Sequence, residues 1–89
     1  MPNIIKDQRK KYESAIDNLI VLLKDTSMGE INYCLSKLIW RLFDLNKSYA
    51  NANNLFGMLH AVSNEFYRRK IAPYEDEKMK INGDLENEK

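Results

Sequence analysis

The stretch from Glu65 to Asp84, EFYRRKIAPYEDEKMKINGD, gathers two tyrosines, an Arg68-Arg69-Lys70 triplet, one proline and a closing Asn82-Gly83. Exposed rings leave apolar surface in water and neighbouring cations repel one another, so this combination on a helix points to something flat or anionic bound there. Guanidinium forks hold phosphates bidentately, aromatic faces stack on bases, and an asparagine amide can pair with a base edge. That chemistry suits a nucleotide. The candidate binding residues are Arg41, Arg68 and Arg69 on phosphates, Tyr33, Tyr67 and Tyr74 stacking on bases, and Asn53 reading an edge.

Two helical strips carry these residues. One runs Tyr33, Lys37, Trp40, Arg41, Asp44, and the other Asn53, Phe56, His60, Asn64, Tyr67, leading into Arg68 and Arg69. A plainer reading stands beside the first: Tyr33, Trp40 and Phe56 complete a core or a subunit interface, and Glu65 forms an i,i+4 ion pair with Arg69. Adjacent residues on an α-helix point about 100° apart, so one Glu65 carboxylate is not expected to neutralise Arg68 as well. Arg68 then needs another anion.

No catalytic set is legible. His60 is the single imidazole and has no serine or cysteine at a spacing that makes a local nucleophile and base pair; packing or hydrogen bonding is its bland role. Glu75, Asp76 and Glu77 read as an acidic first helical turn before they read as a magnesium site. No glycine-rich phosphate loop, HExxH or EF-hand pattern occurs. One cysteine, Cys34, with one histidine argues against a protein zinc site and excludes an internal disulfide. The expectation is a binding protein, with no enzyme activity, no metal and no cofactor.

The elements that must position these residues follow from apolar spacing. Tyr12, Ile16, Leu19, Ile20 and Leu23 make one stripe of a helix expected from Asp7 to Lys24. Ser27-Met28-Gly29-Glu30 matches a capping box, and the helix it starts has the stripe Ile31, Leu35, Leu38, Ile39, Leu42 and ends near Asp44. Ser48 is the expected cap of a third helix with the core face Leu55, Leu59, Val62, Phe66. Gly57 in its interior costs about 1 kcal/mol relative to alanine, and with Ala61 it suggests a close helix crossing, inside the fold or between subunits. Pro73 makes Ala72 a break or kink, followed by a short helix to Ile81 and a left-handed stop at Asn82-Gly83. No segment alternates with strand periodicity. The fold class is therefore all-α: a small bundle of three main helices with a kinked C-terminal extension, residues 1–84 forming one domain and 85–89 a frayed acidic tail.

Eighty-nine residues leave surface competing with core, so self-association is a natural way to finish burying the 44% hydrophobic content. A homo-oligomer is expected, a tetramer being one form. No apolar run reaches the roughly 18 residues of a membrane span, and the start MPNIIKDQRKK lacks a secretory h-region, so the expectation is a cytoplasmic protein without membrane contact. Charge is uneven: Met1 to Tyr74 has eleven Lys or Arg against seven Asp or Glu, a balance of +4, and from Glu75 onward three face six, a balance of −3. That basic excess is too small for duplex nucleic acid, where neutralised phosphates supply most of the affinity.

The string Tyr67-Arg68-Arg69, Ala72-Pro73-Tyr74-Glu75-Asp76, Lys78, Asn82-Gly83-Asp84 resembles the C-terminal pattern of a family of short, mostly uncharacterised phage-encoded proteins, and the likeness runs from about Pro2 to Asp84. The chain is also similar to small phage anti-CBASS sponge proteins. That resemblance implies an immune-evasion oligomer in the host bacterial cytoplasm that sequesters a cyclic nucleotide signal without cleaving it. No functional residue is carried over from it. Two readings are thus open: a protein that binds a cyclic dinucleotide or related signalling nucleotide between subunits, or a helical adaptor or inhibitor that binds a host or phage protein through the Trp40 face, with the arginines paired to its own acidic tail.

Overall fold

The computed structural model describes residues 4–83 and 85, and among them every regular element is helical. Helix α1 spans Lys6–Leu23, α2 Met28–Asp44 and α3 Tyr49–Phe66; a π-helical turn, Tyr67–Ile71, joins α3 to α4, Ala72–Asn82. The described residues divide between Ala52 and Asn53 into two compact units, so that the boundary falls in the first turn of α3. The expected tail beyond Leu85, and Asp84 itself, lie outside the described residues.

Local chemistry sets the helix ends. The capping box is complete: the Glu30 backbone N–H donates to Ser27 Oγ at 3.2 Å, and the Ser27 N–H donates to Glu30 Oε2 at 3.2 Å. Two of the donors that a helix start leaves without partners are thereby satisfied. Ser48 caps α3 by accepting the Asn51 N–H at 3.1 Å. Asn51 does more than the sequence suggests, because its Nδ2 donates to the Asn46 carbonyl at 2.8 Å and ties the α2–α3 turn to the start of α3. Thr26 closes the other turn by donating its hydroxyl to the Leu23 carbonyl at 2.8 Å.

Pro73 produces no break. Ala72 keeps helical angles, φ −60° and ψ −46°, so of the two expected forms, a break or a continuation, the chain takes the continuation. The accommodation is a wider turn: proline has no N–H to give to the carbonyl four residues back, and its ring crowds that carbonyl. Here the Ala72 N–H bonds to the Tyr67 carbonyl, five residues back, and Tyr67–Ile71 takes π geometry. Helix α4 ends at Gly83, whose φ of +86° only glycine adopts without strain; its ψ of 142° is extended, so the stop differs from the expected left-handed helical one.

The apolar stripes lie where the spacing puts them, but the expectation that they are buried within one chain is not met. No described residue is buried. On the α1–α2 unit, Ile16 is 49% exposed and Leu35 59%; Leu23, Ile31 and Ile39 are half-buried, and α1 and α2 make almost no close backbone contact. On the unit from Asn53 onward, Phe66 is 57% exposed, and a methyl group added at Gly57 would meet nothing within 4 Å. The close crossing expected at Gly57 is therefore absent within the unit.

Ser27→Ala removes a cap that both partners complete, and should cost about 1 kcal/mol of stability, read as a lower Tm. An unchanged Tm would show that the α2 start is held by something other than its box.

Candidate functional site

The richest cluster of polar side chains lies around the π turn, in the unit from Asn53 onward. Glu65 sits one residue before the end of α3, and its carboxylate takes both neighbouring arginines. Arg68 Nη2 donates to Oε1, and Arg69 Nε approaches Oε2 at 2.8 Å. The expectation that one carboxylate serves only Arg69 is thus corrected, for two physical reasons. A carboxylate has two oxygens and can accept from two forks. Residues three and four apart are also neighbours on a helix surface, so Arg68 and Arg69 both flank Glu65.

The layering of this triad matters for what it can bind. The Glu65 side chain is only 21% exposed, whereas those of Arg68 and Arg69 are 65% and 53% exposed. The carboxylate is therefore covered, and the guanidinium groups keep further N–H donors facing water. The hydrogen bond from Arg68 holds the Glu65 carboxyl below the usual carboxylate range, with partial desolvation opposing it. It remains ionised at neutral pH.

Tyr67 is fixed by the same turn. Its hydroxyl donates to Glu75 Oε1 at 3.0 Å, a contact between residues eight apart. In an unbroken α-helix such residues are rotated by about 80° from one another, and the wider turn takes up that offset. The hydrogen bond to the Glu75 carboxylate pushes the Tyr67 phenol above the ordinary tyrosine value. Tyr74, on the first turn of α4, is exposed and lies 5.7 Å from the Lys78 ammonium, which sits over its ring. Its other face is not taken by any described ring. Asn53, at the far end of α3, is separated from Tyr67 by fourteen residues, about 21 Å of helix rise, so the structure does not bring it to the arginines.

Tyr33 and Arg41 belong to the other unit. They line a groove of about 360 Å³ whose floor includes Leu19, Leu23, Cys34 and Leu38. Lys37, between them on the same face, lies 5.8 Å from the centre of the Tyr33 ring. Aromatic, ammonium and guanidinium thus follow one another at i, i+4 and i+8 along an apolar groove. Trp40, 63% exposed, is on α2 but not among the residues lining it. His60 packs on Phe56, ring centres 4.8 Å apart and planes tilted by 58°, which matches its bland role. Among the described residues no group of three or more His, Cys, Asp or Glu could hold a metal ion, and no helix is long and apolar enough to cross a membrane.

The residues that sequence reasoning missed are Glu75, as the partner of Tyr67, and Glu65, as the shared partner of both arginines. The signal for Glu75 was Pro73, four residues after Arg69, and that for Glu65 was its i,i+3 spacing to Arg68.

The contact between Tyr67 and Glu75 has a defined pH window. A phenol raised in the folded state contributes stability below the ordinary tyrosine value of about 10 and loses it as pH rises through the folded value. Followed by the ring signals of Tyr67 in NMR, Glu75→Gln should lower its titration midpoint, and Pro73→Ala should do the same by letting the helix return to α register. A midpoint unmoved by Glu75→Gln would show that the contact does not form in solution.

The comparisons with known proteins place these features in one family and no further. No curated protein and no solved structure matches the chain. A family model described as a domain of unknown function, DUF6899, matches residues 1–85, which takes in both units and the whole of the π turn. The chain belongs to the DUF6899 family.

Proposed function

We propose that this protein is a phage immune-evasion protein that binds a signalling nucleotide of the cyclic dinucleotide class and holds it uncleaved. The observation that carries the reading is the Arg68 and Arg69 pair: two guanidinium groups brought together on one covered carboxylate, each more than half exposed. Paired arginines with outward donors suit a phosphate, and Tyr74 supplies an accessible ring on the next turn. Tyr33, Lys37 and Arg41 offer the same aromatic and cationic chemistry along the groove on α2. Holding rather than cleaving accords with His60 packed against Phe56. The phage origin and the sponge role rest on the resemblance of the sequence.

The working form is a homo-oligomer. Stripes of leucine, isoleucine and phenylalanine that are about half exposed in one chain lose that exposure when a second copy covers them, and burial contributes about 25 cal/mol per Å². A specific observation favours the second reading, a helical adaptor or inhibitor: Trp40 is 63% exposed, and exposed tryptophan is a common anchor for a protein partner. In that reading the arginines serve the fold through Glu65.

Thermal-shift measurements separate the two readings. Cyclic dinucleotides should raise the Tm by mass action, and the nucleotide recovered after denaturation should be intact. Arg68→Ala should weaken that binding at least about tenfold while changing the Tm of the unliganded protein little, since an exposed ion pair contributes roughly 0 to 1 kcal/mol. Unfolding of the variant, or a screen in which no nucleotide shifts the Tm, favours the adaptor. Light scattering at micromolar concentration should give a multiple of the 10.5 kDa chain mass, and a monomer alone would refute the oligomer.

A further inference from the structure

We infer that α3 is the helix at which two copies of the chain meet, crossing antiparallel at Gly57 so that a second α3 covers the face made by Asn53, Gly57 and Ala61. The inference rests on the assembly proposed above, not on its nucleotide, and names the surface that closes it. Its basis is the distribution of charge. The chain has 14 Lys or Arg and 13 Asp or Glu, yet none falls between Tyr49 and Asn64, all but the last two of the 18 residues of α3. Each of the other α-helices carries both acids and bases. A helix that keeps one face in water carries charge on that face, whereas charged residues are depleted where protein covers protein. Along this run α3 has no face marked for water, and no residue of it is buried in a single chain.

The occupant is a second α3, because the surface is complementary to itself. Among the described helices only α3 has a run of this kind, so a copy of it is the part of this molecule that matches it in charge. Asn53, Gly57 and Ala61 lie four residues apart, one of the i±4 ridges through which helices pack at about 50°. Gly57 is a notch in that ridge: a methyl group added there meets nothing within 4 Å, so the space over its backbone is open in one chain. Two such notches set against each other let the backbones approach closely. In the antiparallel sense Asn53 of one copy faces Ala61 of the other, long against short, on both sides of the crossing. An amide both donates and accepts, so it can bond across the seam without any charge.

The Arg68-Arg69-Lys70 triplet that follows α3 sets the antiparallel sense. Parallel copies bring two triplets of like charge to the same end, and antiparallel copies keep them at opposite ends. Arg68 lies eleven residues from Gly57, about 16 Å of helix rise, so the arginine pair stands clear of the crossing. Self-association and phosphate binding are thereby separable.

The test compares the full chain with Gly57→Leu and Ala61→Lys by sedimentation equilibrium, with circular dichroism for helix content. Leucine favours helix over glycine and its Cβ meets nothing within 4 Å, and Ala61 is exposed, so a role confined to one chain predicts helix content kept or raised and an assembly unaltered. The crossing predicts helix content kept and self-association weakened at least about tenfold in both variants. An assembly as tight in either variant as in the intact chain overturns the inference while an oligomer built on other faces stands. An intact chain that stays monomeric overturns the inference and the assembly together. Should a variant lose its helices, the intact chain decides by itself: in a mixture of isotope-labelled and unlabelled copies, isotope-filtered NMR should show contacts between the Asn53 side-chain amide of one copy and the Ala61 methyl of the other. Intermolecular contacts found only outside α3, or none, contradict the inference.

Discussion

A missing hydrogen-bond donor organises the functional end of this chain. Pro73 cannot supply an N–H to the Arg69 carbonyl, and the helix answers by widening for five residues instead of stopping. The contact between Tyr67 and Glu75 follows from that widening. Arg68 and Arg69, at i,i+3 and i,i+4, sit on Glu65, and the widening brings Tyr67 into line with Glu75, eight residues on. In a regular α-helix Tyr67 is rotated by about 80° from Glu75. A single residue without a backbone donor thus sets the contact between Tyr67 and Glu75 beside a layered cluster with a covered anion and outward cations.

The same structure shows how little of its stability such a chain draws from itself. With no described residue buried, and apolar stripes about half exposed on α1, α2 and α3, hydrogen-bonded ends and turns carry the local order: the box at Ser27 and Glu30, the Ser48 cap, and Asn51 bridging to Asn46. These fix where helices begin and how they are joined. They contribute about 1 kcal/mol each, whereas a single fully buried leucine or phenylalanine contributes about 1.5–3 kcal/mol. On the proposed reading, a second copy covers the stripes, and nucleotide capture would then depend on protein concentration.

Much of the helical framework was legible in the sequence because it depends on neighbours. Apolar residues at three- and four-residue spacing placed α1 and α2 to within about one residue of the structure. The motif Ser27-Met28-Gly29-Glu30 named its own hydrogen bonds. What escaped was non-local or irregular. Burial of the stripes depends on what packs against them, which periodicity does not report, and the close crossing that Gly57 suggested is not made within its own unit. At Pro73 the sequence signalled an irregularity, but the same missing N–H is compatible with a break, a kink or a wide turn. Helical spacing gave Glu65 to Arg69, which the structure shows, but not to Arg68 as well, and it read Glu75 as part of an acidic first turn. Asn53, Tyr33 and Arg41 were chosen for their chemistry and for their places on two helical strips. The structure sets Tyr33 and Arg41 together on one groove, and leaves Asn53 about 21 Å of helix rise from Tyr67.

The central claim is that Arg68 and Arg69, seated on Glu65, hold a phosphodiester. The side-chain Nε–H signals of the arginines in NMR observe it directly, because a guanidinium N–H that donates to a phosphate oxygen exchanges its proton more slowly and shifts its resonance. On titration with a cyclic dinucleotide, the signals of Arg68 and Arg69 should move together and saturate at the same ligand concentration. A titration that saturates elsewhere in the spectrum while both of these signals stay still would contradict the account.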